Sequence, residues 1–235
     1  MTDISRNLER IHAEIDAACK RAGRKSDSVE LVAVSKTFPD DSVREAVAAG
    51  QRVFGESRLQ EAEPKIANLP GNLHWHFIGR VQRNKVRKLL LNFEVIHAID
   101  SLKLASYTNG IAGELGLFPK IFLQVNVGCE AAKGGFSQDD LRSEMESLLA
   151  LDRLDIMGLM CIPPDGPDVE SARPWFEGLR KLRDAMETEF DVRLPALSMG
   201  MSGDFGVAIE EGATHVRVGS AIFGKRSYRV DGELG

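Results

Sequence analysis

Apolar positions along the chain follow two different periods. From Ile4 to Ala22 they fall at Leu8, Ile11, Ile15 and Ala18, the spacing of a helix with one buried stripe, and Gly23 follows as a stop. Beyond it, short apolar runs predict strands at Glu30–Lys36, Arg52–Glu56, Leu73–Gly79, Glu94–Asp100, Lys120–Val127, Asp155–Ile162, Ala196–Gly200 and Thr214–Gly219. Helical spacing fills the intervals, over 41–49, 57–68, 80–91, 102–114, 138–151, 171–190 and 204–211. Strands and helices in strict alternation predict an α/β protein, a (β/α)8 barrel preceded by one extra helix. A doubly wound sheet is the rival, but it normally has fewer strands, and no GxGxxG follows the first one. No Pro/Gly/Ser-rich linker or shift in composition divides the chain. One domain over 1–235 is expected, with residues 1–23 as the added helix and 225–235 as a short polar tail.

Side chains alternate faces along a strand, and in a barrel one face meets the helices while the other fills the interior. On the fifth strand Ile121, Leu123, Val125 and Val127 are expected to face the helices, leaving Phe122, Gln124 and Asn126 inside. Val216 and Val218 face out, which turns Arg217 inward. On the third strand Trp75 and Phe77 oppose His74 and His76. A polar upper interior holding Lys36, His76, Asn126 and Arg217 follows, at the end of the barrel where such enzymes carry their chemistry. Gln124 and Asn126 fit hydrogen-bonded packing equally well. His74 and His76 have the spacing of two metal ligands, yet no third ligand is marked out, so His76 is read as a neutral hydrogen bonder near the mouth.

Composition narrows the function. Of 235 residues, 43% are hydrophobic and 28% charged, ordinary for a soluble globular protein. The net charge of -5 argues against broad nucleic-acid binding, so an anionic ligand needs a local positive site. Three widely spaced cysteines, Cys19, Cys129 and Cys161, form no CxxC pair and exclude a disulfide framework. The polar N-terminus is no signal peptide, and no apolar run is long enough to span a membrane. A cytoplasmic protein is expected.

Two features carry candidate chemistry. The first strand, Leu31-Val32-Ala33-Val34-Ser35-Lys36, ends in a lysine, and a buried terminal lysine needs a partner or a task; a common task is an imine with an aldehyde. The seventh and eighth strands run into Ser198-Met199-Gly200-Met201-Ser202-Gly203 and Arg217-Val218-Gly219-Ser220-Ala221. Each offers small residues, free amides and a hydroxyl just before a helical segment, in the two slots where this barrel binds phosphate. Ser202, Gly219 and Ser220 are therefore candidate phosphate ligands. The first of these loops is not a nucleophile elbow, because G-x-S-x-G requires glycine where the chain has Asp204. A phosphate site plus an end-of-strand lysine suggests pyridoxal 5'-phosphate. Arg217 could lower the lysine pKa, or donate to the pyridine nitrogen; a permanent cation there would weaken the ring as an electron sink.

With these residues in view, the chain resembles the pyridoxal phosphate homeostasis proteins, also called the proline synthetase co-transcribed family. The resemblance lies in Ala33-Val34-Ser35-Lys36-Thr37, Phe54-Gly55-Glu56, Gln60-Glu61, Trp75-His76-Phe77-Ile78-Gly79, Gln82, Asn84-Lys85, Gln124-Val125-Asn126, Gly158-Leu159-Met160, Leu197 to Ser202 and Val216 to Gly224. It implies the fold-type III barrel of the alanine racemase N-terminal domain and an imine at Lys36. It also implies phosphate contacts at Ser202, Gly219 and Ser220 and a pyridine-nitrogen contact at Arg217. Ser57 stands where the family often has Asn beside the cofactor, and Cys161 where a small residue such as Ala is common. Lys133 matches a family lysine in a mobile loop.

Members of the family look like cofactor carriers or buffers affecting vitamin B6 and amino-acid balance, and this chain is expected to hold the cofactor and hand it to apo-enzymes. The rival is an amino-acid racemase, which needs a second base opposite the lysine, a tyrosine in the similar racemases. The two tyrosines here, Tyr107 and Tyr228, fall in a predicted helix and in the tail. The barrel also consumes the chain and leaves no room for the racemase C-terminal domain. A non-catalytic, monomeric carrier is expected. A barrel binding a sugar phosphate with no aldehyde is the third class.

Overall fold

The computed structural model describes residues 2–130 and 134–224. Eight parallel strands close into a barrel in sequence order: β1 Glu30–Val34, β2 Val53–Glu56, β3 His74–Phe77, β4 Val95–Ile99, β5 Lys120–Gln124, β6 Asp155–Met160, β7 Ala196–Met201 and β8 His215–Val218. Outside them lie α1 Asp3–Arg21, α2 Asp40–Ala48, α3 Leu59–Asn68, α4 Val86–Asn92, α5 Leu102–Leu115, α6 Gln138–Leu149, α7 Arg173–Phe190, α8 Phe205–Glu210 and α9 Ser220–Phe223. The (β/α)8 expectation holds, with the strands trimmed at their ends.

Local chemistry explains most boundaries. Thr2, Ser101 and Ser137 cap α1, α5 and α6 by accepting a backbone N–H, and Gly116 ends α5 in the left-handed conformation. Two departures matter for function. The predicted helix over 80–91 begins only at Val86, after a single 3-10 turn at Arg83–Lys85, because Gln82 is extended and Val81 is buried against the outer layer. The helical segment expected after β8 is only the one-turn α9, and it begins at Ser220 itself.

The main core lies between barrel and helices, where Phe54 stacks on Trp75 at 5.5 Å and Phe77 meets Phe93 edge-on at 5.2 Å. The barrel interior holds His76, His97, Phe122 and His215, whose rings lie 4.6–6.2 Å apart. Rings and imidazoles therefore take a share of the interior that branched aliphatic side chains usually fill in this fold. α1 lies across the β8 end: Asn7 donates to the Ile222 carbonyl at 2.9 Å and Arg10 to that of Ala221 at 3.1 Å. The added helix thus holds α9 in place.

Candidate functional site

The turn after β1 carries Lys36. The strand ends at Val34, two residues before the predicted end, although Ser35 N–H still bonds the Gly55 carbonyl at 3.1 Å. Ser35 is fully buried and pinned twice. Its hydroxyl donates to Glu56 Oε1 at 2.7 Å, and its carbonyl accepts from Lys65 Nζ at 2.8 Å. Glu56 and Lys65 form a buried ion pair at 2.6 Å. Glu56 Oε2 is buried and finds no partner among the described residues. Burial pushes the Glu56 carboxyl above its ordinary value, against the opposing pull of Lys65. On the other side of Lys36, Thr37 sits at φ 70°, a costly conformation for a β-branched residue. Its N–H donates to Glu61 Oε2 at 3.0 Å. Lys36, half-buried, is thus bracketed by anchors from β2 and α3.

The loops after β7 and β8 meet beside it. Ser202 Oγ accepts from the amides of Gly219 at 3.1 Å and Ala221 at 3.4 Å, so one hydroxyl oxygen gathers two convergent donors. A Cβ on Gly219 would lie 3.3 Å from the Val34 backbone oxygen, which brings this cradle directly over the end of β1. Phe38 stacks on Phe223 at 5.1 Å and ties the Lys36 turn to α9. Ser220 is exposed at the start of α9. The tertiary structure therefore unites Lys36, Ser202, Gly219 and Ser220 at the C-terminal end of the barrel.

Arg217 is buried beneath them. It donates to Ser198 Oγ at 2.5 Å and to the Cys161 carbonyl at 2.9 Å. Ser198 Oγ also contacts His97 Nδ1 at 2.7 Å, and His97 Nε2 contacts His76 Nδ1 at 3.0 Å. Burial pulls His76 down to about 4 and His97 well below the usual imidazole range, so both rings are neutral at pH 7. Arginine is only a donor, so Ser198 Oγ accepts from Arg217, and its second lone pair and its hydrogen let it either accept from or donate to His97 Nδ1. Complementarity links the two rings: both carry their hydrogen on Nε2, or both on Nδ1, so that each contact pairs one donor with one acceptor. Burial lowers the Arg217 pKa as well, yet a guanidinium remains charged at neutral pH.

His76 corrects one expectation. It is neutral and hydrogen-bonded, but it is not at the upper mouth. With Glu30, His74, Lys120 and His215 it lines a cavity of about 370 Å³ where the strands begin. The tilt and stagger of a closed barrel set this height: His76 pairs with Val95, the first residue of β4. Asn126 does lie near the upper mouth, beside a cavity of about 210 Å³. Its amide donates to the Glu130 carbonyl at 2.9 Å and its oxygen accepts the Glu130 N–H at 3.2 Å, so it holds its own loop. Gln124 does likewise, donating to the Gly134 carbonyl at 2.7 Å. Ser57, half-buried, lines a separate cleft with Arg58, Arg80 and Lys85. Cys161 is buried, and burial pushes its thiol up to about 12, the setting of an inert side chain. Lys133, Tyr228 and the tail 225–235 lie outside the described residues.

Sequence reasoning passed over His97, Ser198 and the Glu56–Lys65 pair. His97 carried a signal, as the one polar residue in the otherwise apolar β4. The ion pair carried none, because its partners come from different elements.

The alanine racemase N-terminal domain family matches residues 7–227. This chain belongs to that family. Among its relatives is a pyridoxal phosphate homeostasis protein of Aquifex aeolicus, 44% identical over 222 residues, which span 94% of this chain and 97% of the relative. The PipY structures of Synechococcus elongatus PCC7942 superpose with TM-scores of 0.86 without PLP and 0.82 with PLP bound, at 41% and 40% identity. Each alignment covers 94% of this chain and 100% of PipY. An alanine racemase of Clostridium difficile 630 shares the fold alone, at 17% identity and TM-score 0.73. Its alignment covers 97% of this chain and 58% of the racemase.

Proposed function

We propose that this chain binds pyridoxal 5'-phosphate and serves its homeostasis, holding the cofactor and supplying it to apo-enzymes instead of turning over a substrate. The observation that carries this reading is the cradle of Ser202 and Gly219 built against the turn of Lys36 through Val34 and through Phe38 on Phe223. The name of the Aquifex relative and the PLP-bound state of PipY support it.

The residues fit the cofactor. Ser202, the amide of Gly219 and Ser220 would hold the phosphate, since the donors now gathered on one hydroxyl oxygen suit an ester oxygen equally well. Lys36 would attach the aldehyde carbon through its amine, and Arg217 would donate to the ring nitrogen. Bound there, the cofactor supplies an electrophilic carbonyl and a conjugated ring. Arg217 keeps its own charge and thereby holds the proton off the ring nitrogen. Ser198 and the Cys161 carbonyl orient Arg217, while Glu56, Lys65 and Glu61 fix the backbone on both sides of Lys36.

The same reading takes the chain as one cofactor-binding domain, monomeric and cytoplasmic. No helix among the described residues is long and apolar enough to cross a membrane. A carrier role is favoured over racemisation by the position of Tyr107. It lies on α5, in the outer layer, with the Arg83 guanidinium 4.6 Å from its ring centroid.

Two assays on cofactor-loaded protein test the reading. Mixed with an apo-enzyme that requires pyridoxal 5'-phosphate, it should restore that enzyme's activity. Incubated with amino acids in deuterated water, it should exchange no α-proton beyond the free-cofactor rate. Rapid exchange lost in Lys36→Ala would replace the carrier with a racemase.

A further inference from the structure

At the C-terminal end of the barrel, the loop after β2 with the first turn of α3 (57–60) and the segment after β3 (79–85) line a cleft of about 360 Å³. None of the five residues proposed to hold the cofactor lines it. Its polar walls are Ser57, Arg58, Gln60, Arg80, Gln82 and Lys85, and it has no carboxylate in its lining. The walls are built against each other: a Cβ on Gly79 would fall 2.2 Å from the Ser57 carbonyl oxygen, so only glycine lets the two backbones touch.

The charges in this cleft are unevenly matched. Arg58 pairs with Glu61 at 3.1 Å. The side chains of Arg80 and Lys85 make no hydrogen bond or ion pair among the described residues. The backbone donors of Leu59 and Gln60, which open the ten-residue α3, likewise have no acceptor there. Two unmatched cations and two open amides in one concavity reverse the sign of a chain whose net charge is -5.

We propose that this cleft binds a phosphate-bearing small molecule. A phosphate monoester carries about -1.5 to -2 charges at neutral pH and several acceptor oxygens, which suits two free cations and two amides better than a single carboxylate does. The volume lies in the range of small-ligand sites. Glu61 links this cleft to the turn of Lys36. Its Oε1 meets Arg58 and its Oε2 holds the N–H of Thr37, the residue in the left-handed conformation. A phosphate that draws Arg58 away alters the carboxylate that fixes this turn. The binding stands on the cleft alone, whereas its coupling to Lys36 rests on the cofactor reading.

The test uses protein loaded with pyridoxal 5'-phosphate and fixed by borohydride, so that the Ser202 cradle is filled. The unloaded Ser202→Ala protein serves in its place if no cofactor attaches. Inorganic phosphate and ribose 5-phosphate are titrated by calorimetry. Saturable binding is expected, weakened about tenfold by Arg80→Gln or Lys85→Gln and further by both together. Arg87→Gln removes an equal charge from the exposed face of α4, outside the cleft, and should leave affinity unchanged. Tighter binding of the ester identifies a phosphorylated metabolite as the ligand, and equal binding identifies free phosphate. Absence of saturable binding, or binding indifferent to the double substitution, overturns the site. Coupling is read on loaded, unreduced protein, where phosphate should shift the pH profile of the cofactor absorbance in the wild type but not in Arg80→Gln/Lys85→Gln. Binding without that shift overturns the coupling alone.

Discussion

Arg217 and Ser198 meet inside the barrel at 2.5 Å, guanidinium to hydroxyl, and this contact heads a chain of hydrogen bonds that continues through His97 to His76. A cation that only donates occupies one lone pair of Ser198, and the neutral rings of His97 and His76 below it take linked tautomers. The interior of the barrel is thus an ordered polar column running from the proposed ring-nitrogen contact toward the lower mouth, and Ser198 is its junction.

Ser198→Ala should therefore cost more than a surface hydroxyl. It leaves an Arg217 N–H and His97 Nδ1 buried without partners, a loss of about 2–3 kcal/mol measurable by urea unfolding. Nitrogen chemical shifts should show His97 and His76 as a matched pair in the wild type, both Nε2–H or both Nδ1–H, and this ordering should be lost for His97 in the variant.

Mild acid should destabilise the protein through its buried histidines. His76 binds its proton at about 4 when folded and near 6.5 when unfolded, so the unfolded chain takes up more protons between those values. Stability is complete above pH 6.5 and falls by about 3 kcal/mol from His76 as pH drops to 4. His97 is shifted in the same direction and adds to the slope. Glu30, lowered chiefly by its hydrogen bond to His215, contributes only below its ordinary 4.5. Glu56, raised by burial, binds its proton first in the folded state and offsets part of this slope above 4.5, so the comparison with His76→Gln, which should flatten the segment in urea unfolding between pH 6.5 and 4.5, reads the histidine share.

Breaking the Glu56–Lys65 pair should be worse than removing it. Lys65→Met strands a carboxylate with no exposure, and Glu56→Gln strands the ammonium. Each single loss should cost about 3–5 kcal/mol, while Glu56→Gln/Lys65→Met recovers part of it. Chemical denaturation of the three variants checks the order. The single variants should also bind cofactor more weakly, because Ser35, whose carbonyl and hydroxyl the pair holds, precedes Lys36.

Lys36 should be the point of attachment. Borohydride treatment of the loaded protein should abolish its absorbance near the visible edge, and peptide mapping should find the modification on Lys36. In Lys36→Ala no fixed cofactor should remain, with unfolding stability changed by less than about 1 kcal/mol because the side chain is only half-buried. A modification mapped to any other lysine contradicts the assignment.

The sequence by itself determined the barrel, because strand and helix periods depend on near neighbours and survive any tertiary detail. It likewise marked Lys36, Arg217 and the paired loops at Ser202 and Gly219, since their chemistry is tied to the ends of strands. Only the tertiary structure decided the height of His76, since tilt and stagger belong to the closed sheet and not to one strand. It alone joined Glu56 on β2 to Lys65 on α3, and His97 on β4 to Ser198 on β7, 101 positions away. Pairings of this kind depend on which side chains a closed barrel turns toward a common axis, and no local pattern along the chain encodes that.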